Sequence, residues 1–252
     1  MMGSPGFTVR GVLRRAAAIL DRHGTAFTAA AALLVALPEL LAGLGGRAAV
    51  TTTETGGAAP AGVGFTWAFS AEGGTSVLVF LAQLLLFGFV ICTAFADMRD
   101  EPPNPRAALR AAVALYLPIL GVTVLTTLGL MLGYLLLIVP GIMLHCAWMV
   151  AVPALVAEPA GVLAALGRSR RLTAGHRWPI FGLAVLYAIA VLLAVGLGLG
   201  LVLAGLGTGG PGSLAATLLR PVLSAAVVLG GYVGITALYI ELRLAEAGDG
   251  PA

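Results

Sequence analysis

Lysine does not occur in this chain: all 14 basic residues are arginine, and only 10% of the residues carry charge of either sign. A soluble domain carries about a quarter, so the shortage removes water as the main solvent. Cysteine is nearly absent as well. Cys92 and Cys146 both fall in apolar stretches, away from the oxidising aqueous surfaces where disulfide frameworks form, and they read as small apolar residues. The net charge of +3 is small and scattered, and no basic stretch alternates with aromatics, which argues against a nucleic-acid partner. The motifs of membrane enzymes are missing too: there is no His-Glu-x-x-His, no Gly-x-Ser-x-Gly and no pair of Asp residues within the apolar runs. No catalytic, cofactor or metal residue is therefore expected, and no cofactor.

What the chain does contain is apolar sequence, 60% of it, in blocks longer than soluble core helices need; roughly 20 uncharged residues cross the hydrocarbon layer. The expected fold is an all-α integral membrane protein with six transmembrane helices over about 25–44, 77–96, 115–138, 142–157, 178–204 and 221–240. Residues 1–24 precede them as a cytoplasmic amphipathic segment. Its apolar positions Val9, Val12, Leu13, Ala16, Ile19 and Leu20 repeat at helical spacing, with Arg10, Arg14 and Arg15 off that stripe, the pattern of a helix lying on a membrane surface. Residues 241–252 form a short cytoplasmic tail. A cleavable signal peptide competes for residues 1–49; Asp21 before the apolar stretch and Glu39 near its far end favour an uncleaved span.

Turns are expected where breakers fall. The polar segment from Gly45 to about Thr75 joins the first two spans, and a proline run from Pro102 leads into a second amphipathic helix around Arg106–Arg110. Between Ala111 and Ala157 no charge occurs over 47 residues, enough for two spans, with Pro140-Gly141 as the turn signal. A glycine cluster at 207–212 makes another connection, and Pro221 suits the first turn of the last helix. The layout suggests three helical hairpins, each preceded by a basic amphipathic helix. Leu117-Pro-Ile-Leu-Gly121 echoes Trp178-Pro-Ile-Phe-Gly182, an echo that either a triplication or chance similarity of apolar sequence produces.

Arginine sets the orientation, because positive charge in short loops stays in the cytoplasm. With both termini inside, Arg10, Arg14, Arg15, Arg22, Arg99, Arg106, Arg110, Arg168, Arg170, Arg171, Arg177 and Arg243 are cytoplasmic, and only Arg47 and Arg220 lie outside. The expected location is the cell membrane, multi-pass.

Two ionisable residues fall inside spans, where charge is costly and marks a candidate intramembrane polar site. Glu39 follows Pro38 near the outer end of the first span; it reads as an interfacial carboxylate paired with Arg220 or Arg47, with a proton or substrate site as the alternative. His145 follows the Pro140-Gly141 turn and reads as a packing residue, since no second ligand stands at metal spacing. Gly129-Leu-Met-Leu-Gly133, Gly196-Leu-Gly-Leu-Gly200 and Gly230-Gly-Tyr-Val-Gly234 have the spacing that lets membrane helices approach closely, within the bundle or with another copy.

The most distinctive stretch runs from Leu135-Leu-Leu-Ile-Val-Pro-Gly-Ile142 through Val152-Pro-Ala-Leu-Val-Ala-Glu158 to Ala164-Ala-Leu-Gly-Arg-Ser-Arg-Arg-Leu-Thr-Ala-Gly-His-Arg-Trp178. Over roughly residues 100–185 it resembles the membrane domain of bacterial glycerophosphoryl diester phosphodiesterases and related stand-alone multi-pass proteins of unknown function. In that family the phosphodiesterase chemistry belongs to a separate soluble domain, so the resemblance implies a membrane domain without that activity.

The expected function is a non-enzymatic scaffold or accessory factor of the membrane. A transporter or channel for a small or lipid-like solute stands second, with Glu39, His145, Thr123, Thr126 and Thr127 as its polar path; an intramembrane enzyme stands third. Residues 158–177 are expected to lie against the membrane, with Val162, Leu163, Leu166 and Leu172 facing lipid. Arg168, Arg170, Arg171 and Arg177 would then meet anionic lipids or a partner protein.

Overall fold

The first apolar block is preceded by an amphipathic stretch with no proline between them and only Gly24 to weaken a helix there, so one helix is free to run through both. In the computed structural model, which describes residues 7–40, 73–99, 104–158, 161–201 and 211–248, it does. Helix α1 spans Val9–Ala31, passes through a single π turn over Ala32–Ala36 and remains helical to Leu40. Thr8 caps it, its hydroxyl accepting the Gly11 N–H at 3.1 Å, which satisfies one of the orphan donors of a helix start. The amphipathic segment expected over residues 1–24 is, from Val9 onward, the first part of a continuous rod.

The remaining elements are α2 (Gly73–Met98), α3 (Pro105–Ala114), α4 (Tyr116–Leu136), α5 (Ile138–Trp148), α6 (Ala151–Ala157), α7 (Val162–Leu172), α8 (Arg177–Leu201) and α9 (Pro211–Gly248). Among the described residues every regular element is helical. Six stretches are long and apolar enough to cross a membrane: Val9–Leu40, Val79–Met98, Tyr116–Leu136, Ile138–Ala157, Arg177–Leu197 and Pro221–Ala247. Most of the expected polar segment at 45–75 and most of the glycine connection at 207–212 lie outside the described residues.

Four boundaries differ from the sequence reading. The reversal between the third and fourth spans falls at Leu137, whose backbone is extended at φ −162 and ψ 142, and not at Pro140-Gly141. Pro140 sits instead in the first turn of α5, where a missing N–H costs no hydrogen bond. The fourth span is two helices, since α5 ends at Trp148 and α6 begins at Ala151. Pro221 lies inside α9 and not at its start, because the helix already runs from Pro211. That helix also continues to Gly248, through most of the expected tail.

Helices α1, α2 and α9 form the main core. Arg15 meets Glu241 at one end of α1 and Glu39 meets Ser224 at the other, so α1 and α9 are antiparallel; Arg22 with Asp97, and Phe27 with Phe89, make α1 and α2 antiparallel too. Phe27, Val35, Leu86, Val90, Ile91, Val233 and Leu238 fill the space between them. Phe87 stacks on Tyr232 with ring centroids 4.4 Å apart, and Phe27 meets Phe89 edge-on at 6.1 Å. A second cluster, built from Leu84, Ile119, Val122, Ala151, Leu155, Ala165 and Leu166, joins α2 to α4, α6 and α7.

Helices α4 and α5 pack by a different device. A Cβ on Gly129 would fall on the Trp148 ring, one on Gly141 would fall 2.5 Å from Tyr134, and one on Gly133 would come 3.3 Å from the Gly141 Cα. The Gly129/Gly133 pair therefore works as the spacing suggested, by letting backbones and rings approach. The other two motifs behave differently: Gly196, Gly200, Gly230 and Gly234 face open space, and it is Gly231 that the Tyr187 hydroxyl covers.

Candidate functional site

The α7 segment is placed by its own polar residues. Helix α5 stops at Trp148, so the carbonyl of Ala147 belongs to a helix end and lacks a continuing partner in the helix. Ser169 donates its hydroxyl to that carbonyl at 2.8 Å, and Thr173 Oγ1 lies 3.4 Å from it while donating to the Ser169 carbonyl at 3.0 Å. Ser169 and Thr173 are fully buried. Together with Ala165, Leu166 and Leu172, also buried, they make one stripe of α7 at helical spacing. The stripe packs on protein. Of the four residues expected to face lipid, Leu166 and Leu172 are enclosed in the core, Val162 is half-buried, and Leu163 is the outward one at 75% exposure. A helix whose apolar face is needed by α4, α5 and α6 is not free to lay that face on a bilayer. After α7 the chain turns through Gly175 at φ 85, a conformation that a side chain disfavours, and α8 begins.

The four arginines of this segment separate into different environments. Arg168 turns inward: its Nε donates to Glu158 at 3.1 Å, and its two terminal nitrogens form a fork with both Glu246 oxygens at 2.6 Å. Bidentate pairing is the stronger geometry for guanidinium and carboxylate. The contact with Glu246 outweighs the opposing effect of burial and holds the Arg168 guanidinium above its already high ordinary pKa, so it stays charged. Arg170 and Arg171 are exposed. Arg177, the first residue of α8, is half-buried, and none of the described residues offers its enclosed Nε a hydrogen bond. Arg170 and Arg177 line a cavity of about 360 Å³ whose other wall is the apolar face of α5, including Pro140, Met143, Leu144 and Trp148.

Charge collects at one end of the α1/α2/α9 core. Arg15 pairs with Glu241 at 3.1 Å, Arg22 with Asp97 at 3.1 Å, and His23 Nε2 lies 3.4 Å from the same Asp97. Phe7 closes this end against His176, ring edge to face with centroids 5.2 Å apart. Glu241 also lies so close to Gly11 that a Cβ there would strike the carboxylate.

The intramembrane candidates stand apart from one another and from that cavity. Glu39 Oε1 accepts the Ser224 hydroxyl at 2.8 Å. The expected partner Arg47 lies outside the described residues, as does the side chain of Arg220. His145 is half-buried in the last turn of α5. Thr123, Thr126 and Thr127 return their hydroxyls to the carbonyls of Ile119, Val122 and Thr123, four residues back on α4, which satisfies them within the helix. Among the described residues no group of three or more His, Cys, Asp or Glu side chains is placed to hold a metal.

Sequence reading missed Ser169 and Thr173 as the residues that seat α7. The signal was present: both fall on the Leu166–Leu172 face, where a solvated or lipid-facing helix has no use for buried hydroxyls. Comparison of the chain with protein-family models, with characterised proteins and with solved structures gives no match.

Proposed function

We propose that this chain is a multi-pass protein of the cell membrane, with both termini cytoplasmic, acting as a scaffold or accessory factor and not as an enzyme. The observation that carries the reading is where the charged side chains go. Arg15, Arg22, Arg168, Asp97, Glu158, Glu241 and Glu246 are spent joining one element to another at one end of the core, while long faces of α4 and α8 present leucines such as Leu128, Leu132 and Leu193 outward at 59–69% exposure. Apolar surface of that extent needs hydrocarbon around it. Charge used as a fastening at the membrane edge serves architecture. The first and last helices meet at that edge through Arg15 and Glu241, which supports termini on one side, and the arginine excess makes that side the cytoplasm. The resemblance over residues 100–185 supports a stand-alone membrane domain of the phosphodiesterase-associated family.

A transporter is the second reading, and Glu39 is the observation that favours it, a carboxylate within a span. The two readings part in proteoliposomes. A scaffold gives no solute flux above protein-free vesicles, whereas a flux lost in Glu39→Gln with folding intact overturns the scaffold in favour of transport. Topology is checked by reporter fusions at Gly62 and Ala247, which are expected to label opposite sides; labelling on one side refutes the six-span arrangement.

A further inference from the structure

Along α5, residues 139/140, 143/144 and 147/148 recur at the three- and four-residue spacing of a single helix face, and this face forms one wall of the cavity. The stripe is apolar from end to end. At 1.5 Å per residue it is about 13 Å long, close to the ~15 Å depth of one leaflet, half of a ~30 Å hydrocarbon core. It has a polar end and an apolar end. Ser169 and Thr173 are both anchored at the Ala147 carbonyl, so Arg170 and Arg177, which flank them in sequence and line the same cavity, rise from the Ala147 end. Val139 and Pro140 close the other end, with Val139 66% exposed.

The two arginines differ from Arg15, Arg22 and Arg168 in having no carboxylate: among the described residues neither is in an ion pair, and no acidic residue lines the cavity. Two guanidinium groups at the head of an apolar trough one leaflet deep match a phosphate joined to an acyl chain. Guanidinium forks bind phosphate oxygens bidentately, and both arginines line the trough. We infer that this trough is a binding site for one anionic phospholipid, its phosphate held by Arg170 and Arg177 and an acyl chain lying along Trp148, Leu144, Met143 and Pro140. The site gives chemical definition to the lipid contact of the scaffold and rests on the reading of the chain as a membrane protein; Arg168, paired with Glu158 and Glu246, takes no part in it.

The test is native mass spectrometry of the full chain released from mild detergent after exchange into phosphatidylglycerol or phosphatidylcholine of identical acyl chains. Insertion is checked separately by resistance to alkaline extraction, so a protein that inserts but does not select lipid overturns the site alone. Wild type is expected to retain phosphatidylglycerol about tenfold over phosphatidylcholine, in line with the attraction of two arginines for an anionic headgroup. R170Q/R177Q is expected to abolish the preference, and R10Q/R14Q, which removes the same charge from exposed positions of α1, is expected to keep it. Equal retention of the two lipids by wild type overturns the proposal and needs no variant to fold. So does an equal loss in both double variants, which reduces the effect to net charge. sn-Glycerol 3-phosphate is expected not to displace the lipid at equal concentration; displacement would make the ligand a free phosphate ester and refute the acyl trough.

Discussion

The α1/α2/α9 core and the α4/α5 pair solve one problem in opposite ways. In the core, large side chains interlock: Phe27 and Val35 are wholly enclosed, and three aromatic contacts run down the seam. In the α4/α5 pair the side chains are removed, and glycines bring the Trp148 and Tyr134 rings onto bare backbone. The difference matters in hydrocarbon, where apolar surface gains little by leaving lipid and packing quality decides association. The core should suffer from lost volume, and the pair from added volume.

Phe27→Ala tests the first half and should have the largest effect. It opens a void among Phe89, Val90 and their neighbours and should cost about 3 kcal/mol, as large-to-small core changes do, read as a fall in thermal stability of the detergent-solubilised protein. Gly129→Ala tests the second half. One methyl group must displace the Trp148 ring, and overpacking of this kind costs on the order of 2 kcal/mol. Gly196→Ala, facing open space, should be neutral or slightly stabilising by helix propensity. If Gly129→Ala is as silent as Gly196→Ala, the distinction between the two regions fails.

Smaller effects probe what fastens α7 between the regions. Ser169→Ala leaves the Ala147 carbonyl with only the longer Thr173 contact and should cost about 1–2 kcal/mol, visible as faster hydrogen exchange in α7. Arg168→Gln removes the fork to Glu246; both carboxylates are partly exposed, 41% for Glu158 and 49% for Glu246, so the loss should be near 1 kcal/mol or less and should shrink at high salt. A salt-independent loss of several times that size would place this triad in the core.

The six apolar helices were legible in the sequence because length and lack of charge alone decide them. Their ends were not. The amphipathic start of α1 reads as a separate surface helix because arginines interrupt its hydrophobicity, yet between Arg22 and Thr25 only Gly24 weakens a helix, and one glycine does not end it. Pro221 reads as a start because proline is at home there, while the ten residues before it are apolar enough to be helical already. Pro140-Gly141 reads as a turn by composition, but the chain reverses at Leu137 and leaves Gly141 to receive the Tyr134 ring. The arginine cluster was found as a group; its division into a paired Arg168 and an Arg170 and Arg177 with no ion pair among the described residues depends on Glu246, 78 residues away in sequence from Arg168, and no local pattern carries that information.

Continuity of α1 and α9 also has a mechanical side. Rods of 32 and 38 residues are about 48 and 57 Å long at 1.5 Å per residue, well beyond a ~30 Å hydrocarbon layer. They lie antiparallel and are joined near both extremities of α1, by Arg15–Glu241 and by Ser224–Glu39. Their irregularities are not spread evenly: the π turn at Ala32–Ala36 and Pro221 both fall toward the Glu39 extremity. The pair therefore has a stiff half, at the charged end, and a compliant half, beside Glu39.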